Sequence, residues 1–91
     1  MDIWAQMAEK IIKEQENIIG PVALEQARKV EGLEIVSEDN LKIVGNAKEV
    51  LSKLVDQYAK LLGRASIEVC KEAVQDAKST LSPNDLPDIL R

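Results

Sequence analysis

Ile18-Ile19-Gly20-Pro21-Val22-Ala23-Leu24-Glu25-Gln26-Ala27-Arg28 lies, without a gap, over Leu61-Leu62-Gly63-Arg64-Ala65-Ser66-Ile67-Glu68-Val69-Cys70-Lys71, an offset of 43 residues. At the same offset residues 7–12 lie over residues 50–55. Lys10/Lys53, Gly20/Gly63 and Glu25/Glu68 are identical pairs, and nearly all apolar positions are kept. Any two amphipathic helices align by their apolar stripes, but that does not explain a glycine and a glutamate at matched places. The pattern reads as an internal duplication of a helix–Gly–helix unit. Each unit has too little apolar face to stand alone, and pairing the two buries a shared core.

In the first repeat, apolar residues at 3, 4, 7, 8, 11, 12, 18 and 19 have the spacing of an amphipathic helix. Asp2 stands ahead of it as a cap, and Gln15 is the one polar member of its stripe. Gly20 ends this helix and Pro21 opens the next, which is expected to run to about Val30. Over residues 32–45 the period changes. Two short β-branched runs, residues 33–36 and 41–44, flank the turn formers Ser37-Glu38-Asp39-Asn40 and predict a β-hairpin. Asn46 caps a third helix, with Glu49 three residues on, and apolar residues follow at 47, 50, 51, 54, 55, 58, 61 and 62. Gly63 then separates it from a fourth helix expected from about Arg64 to Ser79; no proline follows Gly63, so one bent helix is the alternative. Ser82-Pro83 suggests a short helical turn or disorder in the tail. The expected fold is mainly α: two helix–Gly–helix repeats (3–31 and 46–79) joined by a short hairpin (32–45), four-helix-bundle-like, with a tail (80–91), in a single domain over 1–91.

Composition narrows the function. The chain has 91 residues, 45% hydrophobic, with Trp4 and Tyr58 its only aromatics, so the core must be aliphatic. It contains no His, which excludes a Ser-His-Asp triad, a Cys-His pair and imidazole zinc ligands. The lone Cys70 excludes an internal disulfide and a cysteine metal cluster. A net charge of −4 argues against a nucleic-acid partner. Met1-Asp2-Ile3-Trp4-Ala5-Gln6 has neither the basic nor the apolar region of a secretory signal, and no apolar run approaches membrane-spanning length. A cytoplasmic protein with no membrane contact is expected, a setting that suits an unpaired cysteine.

Candidate chemistry is sparse. Gly20 and Gly63 precede helix starts, where free N–H groups bind anions, but no P-loop follows. Ala23 and Ser66 occupy the place of the second glycine of a KH clamp. Ala59 and Gly63 echo a helix-turn-helix, yet the helix that would read DNA carries three acids against one lysine. Glu14, Glu16, Glu34, Glu38 and Asp39 lack calcium-loop spacing and read as a solvated surface. Cys70 falls where the first repeat has Ala27, which suits a small core residue better than a reactive thiolate. Glu25–Arg28 and Glu68–Lys71 are matched i,i+3 pairs. No catalytic, cofactor-binding or metal residues are expected, and no enzyme.

The run Ile18-Ile19-Gly20-Pro21-Val22-Ala23 resembles a junction found in small helical domains of bacterial signalling proteins, which lie beside Ser/Thr kinase, cyclase or response-regulator modules. The likeness covers residues 8–31 and, more loosely, 50–74, where Arg64 and Ser66 depart from Pro and Ala. It implies a regulatory or interaction role with a signalling protein as possible partner, and supplies no catalytic residues. The alternatives are a small-ligand or anion-binding protein and a DNA-associated regulator. A homodimer is expected, because closed two-fold dimers are the commonest soluble oligomers and because apolar residues exceed what one hairpin and one helix face need. Trp4, Leu33, Ile35, Ile43, Val44 and Val69 are the candidate interface residues, and Gly20, Pro21 and Gly63 the structural junctions. The competing possibility is that Leu86, Ile89 and Leu90 fold back over these surfaces.

Overall fold

The computed structural model of the chain describes residues 3–37 and 40–75. Its elements are α1 (Ile3–Ile19), α2 (Val22–Arg28), β1 (Leu33–Ser37), β2 (Asn40–Ile43), α3 (Ala47–Leu62) and α4 (Ala65–Ala73). The chain is mainly helical with one small antiparallel hairpin. The proposed cap Asp2 and the tail 80–91 lie outside the described residues.

The two long helices bury matched stripes. In α1 these are Met7, Ala8, Ile11, Ile12 and Gln15; in α3 they are Val50, Leu51, Leu54, Val55 and Tyr58. Every one of these five pairs obeys the offset of 43. Burying an aliphatic side chain of this size contributes about 1.5–3 kcal/mol, so the paired stripes hold the fold. α1 packs on α2, α3 and α4, and α3 packs on α2 and α4. The Asn46 side chain accepts a hydrogen bond from the Glu49 backbone N–H at 3.0 Å, as its capping pattern predicts.

Gly63 has φ 83° and ψ −172°, which no helix tolerates, so α3 and α4 are two helices and not one bent one. α2 is shorter than its apolar pattern suggests. It starts at Val22, with Pro21 as the residue before, and ends at Arg28 in a tight turn where Lys29 and Val30 bond back to Gln26 and Ala27. α4 ends at Ala73 because Val74 leaves the helical region at φ −99° and ψ 8°, well before the expected Ser79.

The hairpin pairs Leu33 with Ile43, Glu34 with Lys42 and Ile35 with Leu41, and its register shifts between Ile35 and Ser37. Period-two alternation sorts the side chains. Leu33 and Leu41 are buried, and Ile35 and Ile43 are half-buried against the core, while Glu34 and Lys42 face out. β1 lies on α2 and β2 on α1, so the hairpin rides on the first helical unit. Gly32 stands at the entry to β1 with φ +89°, where an added Cβ would fall 2.7 Å from Val50 Cγ2 and 2.9 Å from the Val44 carbonyl oxygen. Only glycine lets the hairpin lie this close to α3.

Candidate functional site

The two junctions are the same backbone object. Gly20 (φ 72°) donates its N–H to the Glu16 carbonyl oxygen at 2.8 Å, and Gly63 (φ 83°) donates to that of Ala59, also at 2.8 Å. Ala23 N–H then donates to the Gly20 carbonyl at 3.0 Å, and Ser66 N–H to that of Gly63 at 3.2 Å. Leu24 and Ile67 repeat the step onto Pro21 and Arg64. Each donor and each acceptor has its counterpart 43 residues on.

The bonds between the units are reciprocal as well. Tyr58 Oη donates to the Ala23 carbonyl oxygen at 2.7 Å, and Gln15 Nε2 donates to the Ser66 carbonyl oxygen at 3.3 Å. Gln15 is the counterpart of Tyr58, and Ser66 that of Ala23. Each long helix therefore reaches across to the first turn of the other unit's short helix. This is the contact pattern of a two-fold axis, in which residue i meets j and j's counterpart meets i's, here within one chain.

This polar centre is sealed. Gln15, Tyr58 and Cys70 are fully buried, and Ser66 nearly so. Gln15 Nε2 also lies 3.5 Å from Cys70 Sγ, while Gln15 Oε1 has no partner. Burial pushes the Cys70 thiol up to about 11, with the Gln15 hydrogen bond pulling weakly the other way. The thiol stays protonated near neutral pH and is a poor nucleophile. Burial, followed by the nearby charges of Cys70 and Glu16, also raises the Tyr58 hydroxyl above its ordinary range. Among the described residues no three acidic or cysteine side chains gather in a metal-holding arrangement, and no helix is long and apolar enough to cross a membrane.

No protein-family model, curated protein or solved structure matches the chain.

The candidate interface residues separate into three groups. Leu33 is buried, committed to the core of its own chain, and so is not available to a partner. Trp4, Ile35 and Ile43 are half-buried and packed against the core, and Val69 is half-buried on α4. Val44 is exposed. Leu33, Ile35 and Ile43 share one side of the hairpin, the side packed on the core. Gly20, Pro21 and Gly63 sit at the junctions as expected. Of the matched charge pairs, Lys71 Nζ meets Glu68 at 3.7 Å, whereas Arg28 reaches the hairpin and donates from Nη1 to the Ile35 carbonyl oxygen at 3.0 Å.

Sequence reasoning missed the apolar side chains that the fold leaves outside: Ile18 (58% exposed), Leu61 (49%), Val22 (40%) and Val36 (75%). Ile18 and Leu61 are counterparts, each two residues before its junction glycine. The signal is present in the repeat itself, since each is a helical apolar position beside an apolar neighbour, Ile19 or Leu62, that is half-buried. A cleft of about 450 Å³ opens between α1 and α4, lined among the described residues by Lys10, Lys13, Glu14, Glu72 and Ala73.

Proposed function

We propose that the chain is a small non-enzymatic interaction module, four-helix-bundle-like, that self-associates and presents its twin junctions to a protein partner in a cytoplasmic regulatory assembly. One observation carries this reading: Ile18 and Leu61 stand exposed at equivalent places on two geometrically equivalent junctions. A fold that aligns its core positions pair by pair also leaves outside a matched pair of apolar ones; a single exposed apolar side chain is ordinary, and it is the recurrence at both junctions that supports a contact site. The buried, protonated Cys70 supports a scaffold role for the polar centre. The likeness of the Ile18–Ala23 run to bacterial signalling domains agrees with a signalling partner, and the negative charge with a protein in preference to nucleic acid.

The alternative is a small ligand held between the two units. The cleft between α1 and α4, lined among the described residues by Lys10, Lys13, Glu14, Glu72 and Ala73, is the place where one would sit. A thermal melt against a ligand panel separates the readings, because any specific ligand raises stability by mass action. For the interaction reading, capture from the native cell with wild-type bait and with Ile18→Ser/Leu61→Ser bait is the test. A specific partner retained by the first and lost by the second, at unchanged thermal stability, is expected. Identical captures from both baits overturn the assignment of the junctions.

A further inference from the structure

We infer that self-association, the second element of the proposed function on which this inference rests, runs through the outer edge of β2, which pairs with the same edge of a second copy to make a four-stranded antiparallel sheet. The hydrogen-bond parity of the hairpin identifies the edge. Val44 N–H donates to the Gly32 carbonyl oxygen at 2.7 Å. Gly32 and Val44 continue the register in which Leu33 faces Ile43, so they are a hydrogen-bonded pair. Opposed residues in an antiparallel ladder alternate between bonded and non-bonded pairs. Glu34/Lys42 is then bonded, and Leu33/Ile43 and Ile35/Leu41 turn their backbone groups outward.

The two edges differ in what meets those outward groups. On β1 the Leu33 N–H donates to the Val30 carbonyl oxygen at 3.3 Å, and the Ile35 carbonyl oxygen accepts from Arg28 Nη1 at 3.0 Å. The loop from α2 and the last residue of α2 thus take two of the four outward groups of β1, the Leu33 N–H and the Ile35 C=O, and stand against that edge. On β2 the outward N–H and C=O groups of Leu41 and Ile43 have no such partner among the described residues. Unpaired strand edges are templates for another strand. A molecule with two open edges extends into filaments, whereas one open edge that pairs with itself closes as a two-fold dimer.

The best register sets Leu41 opposite Ile43 of the second copy, because all four outward groups of each β2 are then used. The two-fold axis passes beside Lys42. The two Lys42 ammoniums meet on the exposed face, each with Glu34 of its own chain directly opposite. Like charges opposed across a strand pair are unfavourable, so salt tightens the dimer by screening, and the short strand keeps it weak and reversible.

The test is amide exchange followed by NMR on the wild-type chain from about 10 µM to about 1 mM, with light scattering across the same weak-association range. The expected result is a mass rising toward two chains, with the Leu41 and Ile43 amides slowing in step and the Ile35 amide unchanged. Lys42→Thr should lower the dimer Kd by about two- to fivefold. Ile43→Pro, which deletes an outward donor and no β1–β2 bond, should leave a helical monomer. A one-chain mass throughout overturns self-association itself. A two-chain mass with Leu41 and Ile43 exchanging at their monomer rates overturns this edge alone and leaves the interaction reading standing. If Ile43→Pro does not fold, the exchange profile and Lys42→Thr decide.

Discussion

Position 15 of the first unit and position 58 of the second are the same place in the fold, filled by a glutamine and a tyrosine. Both reach across to a backbone carbonyl of the other unit. Tyrosine carries a large apolar body and one donor, so a single 2.7 Å bond to Ala23 leaves nothing wanting. Glutamine carries two donors and an acceptor. In the same surroundings it places its amide N–H groups on Ser66 and on Cys70 Sγ and strands Oε1. Cys70 in place of Ala27 adds volume and a weak acceptor beside the smaller glutamine. The backbone keeps the two-fold relation while the side chains diverge, and the divergence leaves the glutamine half less well satisfied.

The largest expected effect follows from the tyrosine half. Tyr58→Ala removes a fully buried ring and its bond, at a cost of about 3–5 kcal/mol, while Tyr58→Phe loses only the bond, about 1 kcal/mol. Gln15→Ala should cost clearly less than Tyr58→Ala. Urea unfolding of the three variants measures this, and a Gln15→Ala loss equal to that of Tyr58→Ala breaks the comparison.

A second contrast sets the junction glycines against Gly32. Gly20 and Gly63 have open space where a Cβ would go, so Gly20→Ala meets only backbone strain, about 1–2 kcal/mol. Gly20→Val should exceed it, because β-branched residues avoid positive φ. Gly32→Ala adds the collision with Val50 and the Val44 carbonyl to the same strain, and should cost more than Gly20→Ala by about 1–3 kcal/mol. Equal melting temperatures for the two alanine variants would mean that the hairpin does not lie as close to α3 as described.

The offset of 43 made the paired stripes and both junctions legible in the sequence, and the change of apolar period around the turn formers did the same for the hairpin, because glycine position and apolar period are local signals. The reciprocal bonds were not. Gln15 was visible as the polar member of its stripe, but Tyr58 was counted as an apolar position, and the aligned blocks stop on either side of the pair. A free hairpin cannot bury Leu33, which makes it a candidate for a partner; packing of the hairpin on α1 and α2 buries it within the chain. The end of α4 at Ala73 depends on the backbone of Val74, which apolar periodicity does not report.

Alkaline pH gives a smaller effect with a definite sign. Cys70 and Tyr58 both have raised values when folded, so the folded chain holds these protons more tightly than the unfolded one. The thiol's contribution is present in full below its unfolded value, near pH 8.5–9, and is lost as pH rises through about 11; that of the Tyr58 hydroxyl is lost at higher pH still. A fall of about 2–3 kcal/mol across that window is expected from the thiol alone, at about 1.4 kcal/mol per unit. Cys70→Ala should flatten this part of the curve, leaving the tyrosine contribution; urea midpoints at stepped pH would show it, and an unchanged slope would place the thiol in contact with water.

The smallest effect is the most specific to the glutamine half. Gln15→Met keeps the length and flexibility of the side chain and removes both the amide donors and the stranded Oε1. The Ser66 carbonyl, within the first turn of α4, remains available to the helix's own i+4 N–H, so losing the Gln15 donor leaves no buried acceptor bare. Cys70 Sγ loses only a weak contact at 3.5 Å. An unpaired buried polar atom costs about 1–3 kcal/mol and a bond of this kind returns about 1 kcal/mol, so the exchange should stabilise the chain, by about 1 kcal/mol. Tyr58→Phe, the counterpart change, should destabilise it by a similar amount. Opposite signs at two equivalent positions would show that the half carrying glutamine is held below its best packing. A loss of stability in Gln15→Met would instead mean that Oε1 has a partner, with an internal water the simplest candidate, and that both halves are equally satisfied.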